Sequence, residues 1–267
     1  MKGEIGEQTN SEQDRYFENK KTEFFVKTGL SVREAFKMHK EAGLWGEGEE
    51  DWRNVSEHCL VESARVSVLA EKLGLSEDIK KDLILSAALH DFFKKEEIKS
   101  YEMEGMSWIN YKKAEDKASE LLKKKGFNDR IIRLVGSIGG ISLAETESIL
   151  KKDNLSQEDI AFLVLHYVDD YTSGSDWVQP SEITGDKKII NSLDRRVSAC
   201  VDRYSLLNEE GKSVFNGEST YSVQLRVGHE VERRIASILN AKNNSDMIPE
   251  DLPYLIDQEI RAKIESQ

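Results

Sequence analysis

The chain has 267 residues, 38 basic and 50 acidic, and a net charge of −12. Hydrophobic residues make up 38% and charged residues 33%, a globular rather than a disordered composition because the apolar residues fall in periodic blocks. So acidic a surface repels phosphate backbones and argues against long nucleic acid as a partner, although a local metal and a few lysines can reverse the potential inside one cleft.

Elements read in chain order are helical. Residues 1–18 are polar and are expected to be a frayed tail. From Tyr16 to about Ala42 the pattern is amphipathic, with Ser31 and Glu34 reading as a capping box. Residues 43–52 form a glycine-rich acidic loop with two tryptophans. A helix is predicted from about Val55 to Leu73, stopped by Gly74. Ser76 then caps a helix running through LILSAALHDFFKK, whose apolar residues occupy nearly its whole circumference, as in a central bundle helix. Further helices are predicted over 107–125, from Asp129 to Gly136, and from a Ser156–Asp159 cap through DIAFLVLHYVDDY. A polar excursion, SGSDWVQPSEITGDKK, precedes helices at about 189–207 and 219–241.

All three prolines, Pro180, Pro249 and Pro253, lie in the last third, so nothing upstream interrupts helix. The expected architecture is all-α: a single-domain helical bundle over 19–242, with its core at about 50–172, and a C-terminal appendage at 243–267. Cys59 and Cys200 sit in apolar helical patterns and read as reduced, buried thiols. No run approaches the roughly 18 apolar residues of a membrane span, and the N-terminus has no apolar signal core, so a cytoplasmic protein is expected.

The chemistry concentrates at a few positions. His90 and Asp91 close the most apolar helix, where a carboxylate is costly to desolvate unless paired or metal-bound. Alone, this pair also reads as a helix end leading into a solvated loop. A short turn at Gly74 makes the two flanking helices antiparallel, which brings His58 to the same end as His90. Asp169 and Asp170 follow another apolar run. Imidazoles and carboxylates together suit a divalent metal such as Mn, Fe, Co, Ni or Zn.

This order, His58, then His90-Asp91, then Asp169 in HYVDD, resembles the H…HD…D signature of the HD phosphohydrolase superfamily over roughly residues 50–172. The resemblance implies a helical bundle around one divalent ion (Mn, Fe, Co, Ni, Mg or Zn). It implies hydrolysis of a phosphomonoester or phosphodiester of a small molecule, most plausibly a nucleotide, by a metal-activated water. His58, His90, Asp91 and Asp169 would be the ligands, with Asp170 the alternative to Asp169. Asp91 could also orient the water. Lys94, as in the frequent HDxxK form, would hold a phosphate; it could equally be a surface lysine. Arg65, two turns after His58, either reaches a phosphate or pairs with Glu62 or another carboxylate. No histidine occurs between Asp91 and His166, which argues for one metal rather than two. His166 reads as a donor behind the ligands, an extra ligand or a hydrogen-bonded core residue, and His39 and His229 as structural or surface residues. Tryptophans near the site, Trp52 and Trp177, could stack on a base or simply pack. A different class of reading is a non-catalytic, metal-stabilised module that binds a nucleotide or a protein. Oligomeric state is not legible.

Overall fold

A computed structural model describes residues 32–44, 52–173 and 193–265. Among these residues there are twelve α-helices, two short 3-10 turns and no strand, so the all-α expectation holds. No helix among them is long and apolar enough to cross a membrane. The predicted Ser31 cap, most of the 43–52 loop and the excursion with Trp177 lie outside the described residues.

The centre is an antiparallel pair, α2 (Arg53–Leu73) and α3 (Glu77–Leu89). Gly74 makes the turn between them. It adopts φ +72°, and the Leu75 N–H returns to the Ala70 carbonyl, satisfying the helix end in the left-handed geometry that glycine accepts at least cost. Leu60, Ala64, Leu69, Leu83, Ala87 and Leu89 fill the seam, each almost fully buried. The short α1 (Arg33–Glu41) packs on this pair. His39 pins it: its Nδ1 lies 2.9 Å from Ser56 Oγ and its Nε2 2.7 Å from the Ala88 carbonyl. That buried histidine is structural.

The helix expected to run on through residues 90–95 ends at Leu89. Residues 90–93 form a turn, with Phe92 buried in the core, and a new helix, α4 (Lys94–Glu104), begins at the lysine. No glycine or proline marks this break, and propensity alone permits the helix to continue. After α5 (Trp108–Lys124) and α6 (Asp129–Val135) comes α7 (Leu143–Leu150), then α8 (Gln157–Tyr171). The predicted capping box starts α8: Ser156 Oγ accepts from the Asp159 N–H, and Asp159 Oδ2 accepts from the Ser156 N–H. Eleven of its fifteen residues are buried, so α8 is the third central helix.

The helix expected at 189–207 is described as two, α9 (Leu193–Arg203) and α10 (Ser205–Val214), followed by α11 (Thr220–Asn243). The last, α12 (Leu252–Glu265), packs on α2. Leu252, Ile256 and Ile260 belong to the same hydrophobic core as α2, α3 and α8, so the segment expected as an appendage contributes to the central packing. A groove of 760 Å³ beside α12, lined by Lys72, Leu239, Met247, Leu252 and Leu255 among others, contains none of the predicted site residues.

Candidate metal centre

His58 and Glu62 stand one turn apart on α2 and so project from one face. The antiparallel turn at Gly74 returns α3 beside them, and His90 caps its end with its ring centroid 5.3 Å from that of His58. Asp169, near the end of α8, closes the group. Each of His58, Glu62, His90 and Asp169 offers a ligand atom, and these atoms all lie within 4.8 Å of one another. His58 Nε2 is 2.9 Å from Glu62 Oε1 and 3.5 Å from Asp169 Oδ1, and His90 Nε2 is 3.8 Å from Asp169 Oδ1.

Three of the predicted ligands, His58, His90 and Asp169, are therefore brought together. The fourth, Asp91, borders the group. Its Oδ2 lies 3.8 Å from His90 Nε2, while its Oδ1 faces Lys94 Nζ at 3.6 Å. Glu62 takes the place in the compact set, a residue the sequence reading considered only as a partner for Arg65. Its signal was present: a glutamate four residues after a candidate ligand histidine shares that histidine's face. Glu62 Oε2 also lies 3.4 Å from His90 Nδ1, so the same carboxylate can orient that ring from behind.

The His90 ring is set for ligation. Its Nδ1 is 2.8 Å from the Ala87 carbonyl, which requires the proton on Nδ1 and leaves the Nε2 lone pair facing Asp91 and Asp169. His90 Nε2 and both Glu62 oxygens are buried and complete no directed hydrogen bond. Buried polar atoms left this way are costly, and a cation shared among them removes the cost. Two nitrogens and two carboxylates fit a divalent first-row metal.

Electrostatics point the same way. Burial opposes a charged His58, yet Glu62 and Asp169 overcome it and push the imidazole up to about 10. Burial likewise opposes protonation of His90, but Cys59, Glu62 and Asp91 raise it well above the usual imidazole range. Desolvation works against ionised Asp169, while a hydrogen bond from His58 and the charges on His90 and His58 hold its carboxyl well below the ordinary value. Without a cation the carboxylates draw protons onto both rings. A divalent ion supplies the same positive charge.

Asp170 lies outside this close group. It points to a separate buried cluster, where Gln224 Nε2 donates to its Oδ1 at 2.5 Å and His166 Nε2 lies 3.4 Å from its Oδ2. Burial pushes its carboxyl up to about 6, with His166 opposing and Asp169 adding to the rise. His166 Nδ1 is 2.7 Å from the Ser137 carbonyl, so this histidine is a core residue of the GSIGG turn rather than part of the close set. His229, read as structural or surface, lies beside two carboxylates, Glu232 at 3.2 Å and Asp194 at 3.5 Å.

Lys94 remains at the site by a different route from the one expected. It starts a new helix instead of continuing α3, and its ammonium spans Asp91 and Glu97, the latter at 3.4 Å. Arg65 does not face the cluster as a free cation. It is fully buried and binds Asp257 of α12 through two 2.9 Å contacts and Thr172 Oγ1 at 2.7 Å. The pairing alternative is the one observed, with Asp257 in place of Glu62, and such a buried, committed guanidinium is poorly placed to hold a substrate phosphate. Trp52 precedes α2 and is half-buried, whereas Trp108 packs edge-on against Tyr111 and Phe215. Arg196 on α9, which no sequence pattern marks, is held at the end of α8 by the Thr172 carbonyl.

No protein-family model matches the chain, and neither curated proteins nor solved structures yield a significant match.

Proposed function

We propose that a divalent metal held by His58, His90, Asp169 and Glu62 makes this chain a phosphohydrolase of the HD type, acting on a small phosphorylated molecule such as a nucleotide. The observation that carries the reading is the close group of two imidazoles and two carboxylates, in which the buried His90 Nε2 and both Glu62 oxygens complete no directed hydrogen bond, bordered by the Asp91–Lys94 pair. Glu62 and His90 form its closed back. The side chains of Asp169, Asp91 and Lys94 are 17, 16 and 29% exposed, which gives the group one side open to a ligand.

When bound, the metal supplies Lewis-acid polarisation of a phosphoryl oxygen and an acidified water. The chain supplies the rest. Lys94 neutralises an oxygen of the phosphate. Asp91, held by Lys94 and beside His90, would accept the proton of the attacking water, and Lys94 offsets the burial of its carboxylate, which keeps it ionised and so able to act as a base. The Ala87 carbonyl fixes the His90 ring, so that its Nε2 is presented without rearrangement.

The test is phosphate release from a panel of nucleotides and phosphate esters with Mn, Co, Ni, Mg and Zn. Asp91→Ala and His58→Ala serve as controls. Release by the parent and not by the variants supports the hydrolase. Metal bound without turnover across the panel favours a binding module that uses the same cluster.

A further inference from the structure

A further cation near the cluster lies on α9. Arg196 donates from Nε to the Thr172 carbonyl at 3.0 Å, three residues beyond Asp169, and from Nη1 to Cys200 Sγ at 3.1 Å. These two contacts fix the guanidinium against the end of α8, the helix that presents Asp169. Nη2 makes no hydrogen bond among the described residues, and the side chain is only partly buried. Arg196 is thus a guanidinium held by two of its three nitrogens, with the third left over. None of its hydrogen-bond partners is a carboxylate, although the field of Asp169, Asp91 and Glu62 reaches it.

Charge balance shows what is missing without it. Glu62, Asp91 and Asp169 bring three negative charges to the cluster and its border, and Glu97, which shares Lys94 with Asp91, brings a fourth. A divalent metal and Lys94 together cancel three of them. The remaining negative charge opposes an incoming phosphate, which carries up to two more. A second fixed cation removes that opposition. The two cations also arrive on separate elements: Lys94 is paired to Asp91 after α3, and Arg196 is anchored beyond Asp169 on α8.

We infer that Arg196 is a substrate-binding residue whose Nη2 hydrogen-bonds a phosphoryl oxygen of the ligand from the end of α8 that carries Asp169. The inference rests on the phosphohydrolase reading above. Two of the nitrogens hold the plane of the guanidinium, so little further ordering is needed to form a charge-assisted bond with the third.

Inorganic phosphate is the probe. Its affinity for the Mn-loaded full chain is measured by calorimetry, and Mn stoichiometry and thermal midpoint are measured on the same samples. Arg196→Met is expected to retain Mn and the parent midpoint while weakening phosphate by about tenfold or more, the loss of one charged hydrogen bond. Arg196→Lys, which keeps the charge without the fork, is expected between the two. Phosphate affinity in Arg196→Met within twofold of the parent overturns the assignment. So does loss of Mn or of the thermal midpoint together with phosphate in both variants, because Arg196 is then only a strut between Thr172 and Cys200. A parent that binds Mn but not phosphate removes the phosphohydrolase reading and this inference with it; a parent that binds no Mn removes the metal centre itself.

Discussion

Arg65 and Asp257 lie 192 residues apart and form a two-pronged ion pair in the protein interior, Nε to Oδ1 and Nη2 to Oδ2, both at 2.9 Å. The arginine is on the helix that carries His58 and Glu62, and the aspartate is on the last helix. Asp257→Ala leaves a fully buried guanidinium short of its counter-charge. Loss of one partner from such a pair costs about 3–5 kcal/mol, so urea unfolding of this variant is expected to show a loss in that range. Arg65→Met combined with Asp257→Leu replaces both charges with apolar groups and should recover much of it. A double variant no more stable than Asp257→Ala would show that the pair does more than balance charge.

Metal binding separates the two adjacent aspartates. Asp169→Asn, Glu62→Gln and His58→Ala each remove a member of the close group and are expected to lower bound Co or Mn well below one equivalent in equilibrium dialysis. Asp170→Asn alters the neighbouring Gln224 and His166 cluster and is expected to keep the parent stoichiometry. The opposite pattern, with Asp170→Asn losing metal and Asp169→Asn retaining it, would reverse the ligand assignment.

Those ligands also show how much the sequence disclosed. The periodicity of α2, α3 and α8, the stop at Gly74 and the capping box at Ser156 were all readable, because each is a local signal. His58, His90 and Asp169 could be placed together because one tight turn forces α2 and α3 antiparallel. Glu62 is hard to single out from sequence because buried carboxylates are rare and its helix face suits pairing with Arg65. The break at His90 to Phe93 has no local marker; it accompanies burial of Phe92, a tertiary event. Arg196 and Asp257 join the site region only through folding of the C-terminal third, and no spacing rule connects them to the HD pair.

The cap on α8 is open to a direct test. Ser156→Ala removes the acceptor for the Asp159 N–H and half of the reciprocal box. A loss of about 1 kcal/mol is expected from denaturant unfolding. Because the cap lies at the far end of α8 from Asp169, the metal stoichiometry of the folded variant should not change. Stability equal to the parent would mean that solvent replaces the cap without cost.

Glu115 predicts a pH dependence. Burial, reinforced by the charge of Glu97, pushes its carboxyl from the ordinary 4.5 up to about 8, with Lys94 opposing. The folded protein therefore binds this proton more tightly than the unfolded chain does. The stabilisation is complete below about pH 4.5 and is lost as the pH rises to about 8. Glu115→Gln cannot ionise, so its urea midpoint should fall less between pH 5 and pH 9 than that of the parent. An identical fall in both proteins would place the origin of any alkaline destabilisation elsewhere.

Thr172 accepts Arg65 on its hydroxyl and Arg196 on its carbonyl, immediately after the helix that bears Asp169. A fragment cut after this residue would retain every member of the ligand cluster, yet strand Arg65 without Asp257 and remove Arg196 entirely. The minimal stretch that spells the motif is thus not the minimal transferable unit. Truncations, fusions and domain grafts drawn from this chain need to carry residues 193–265 along with the ligands.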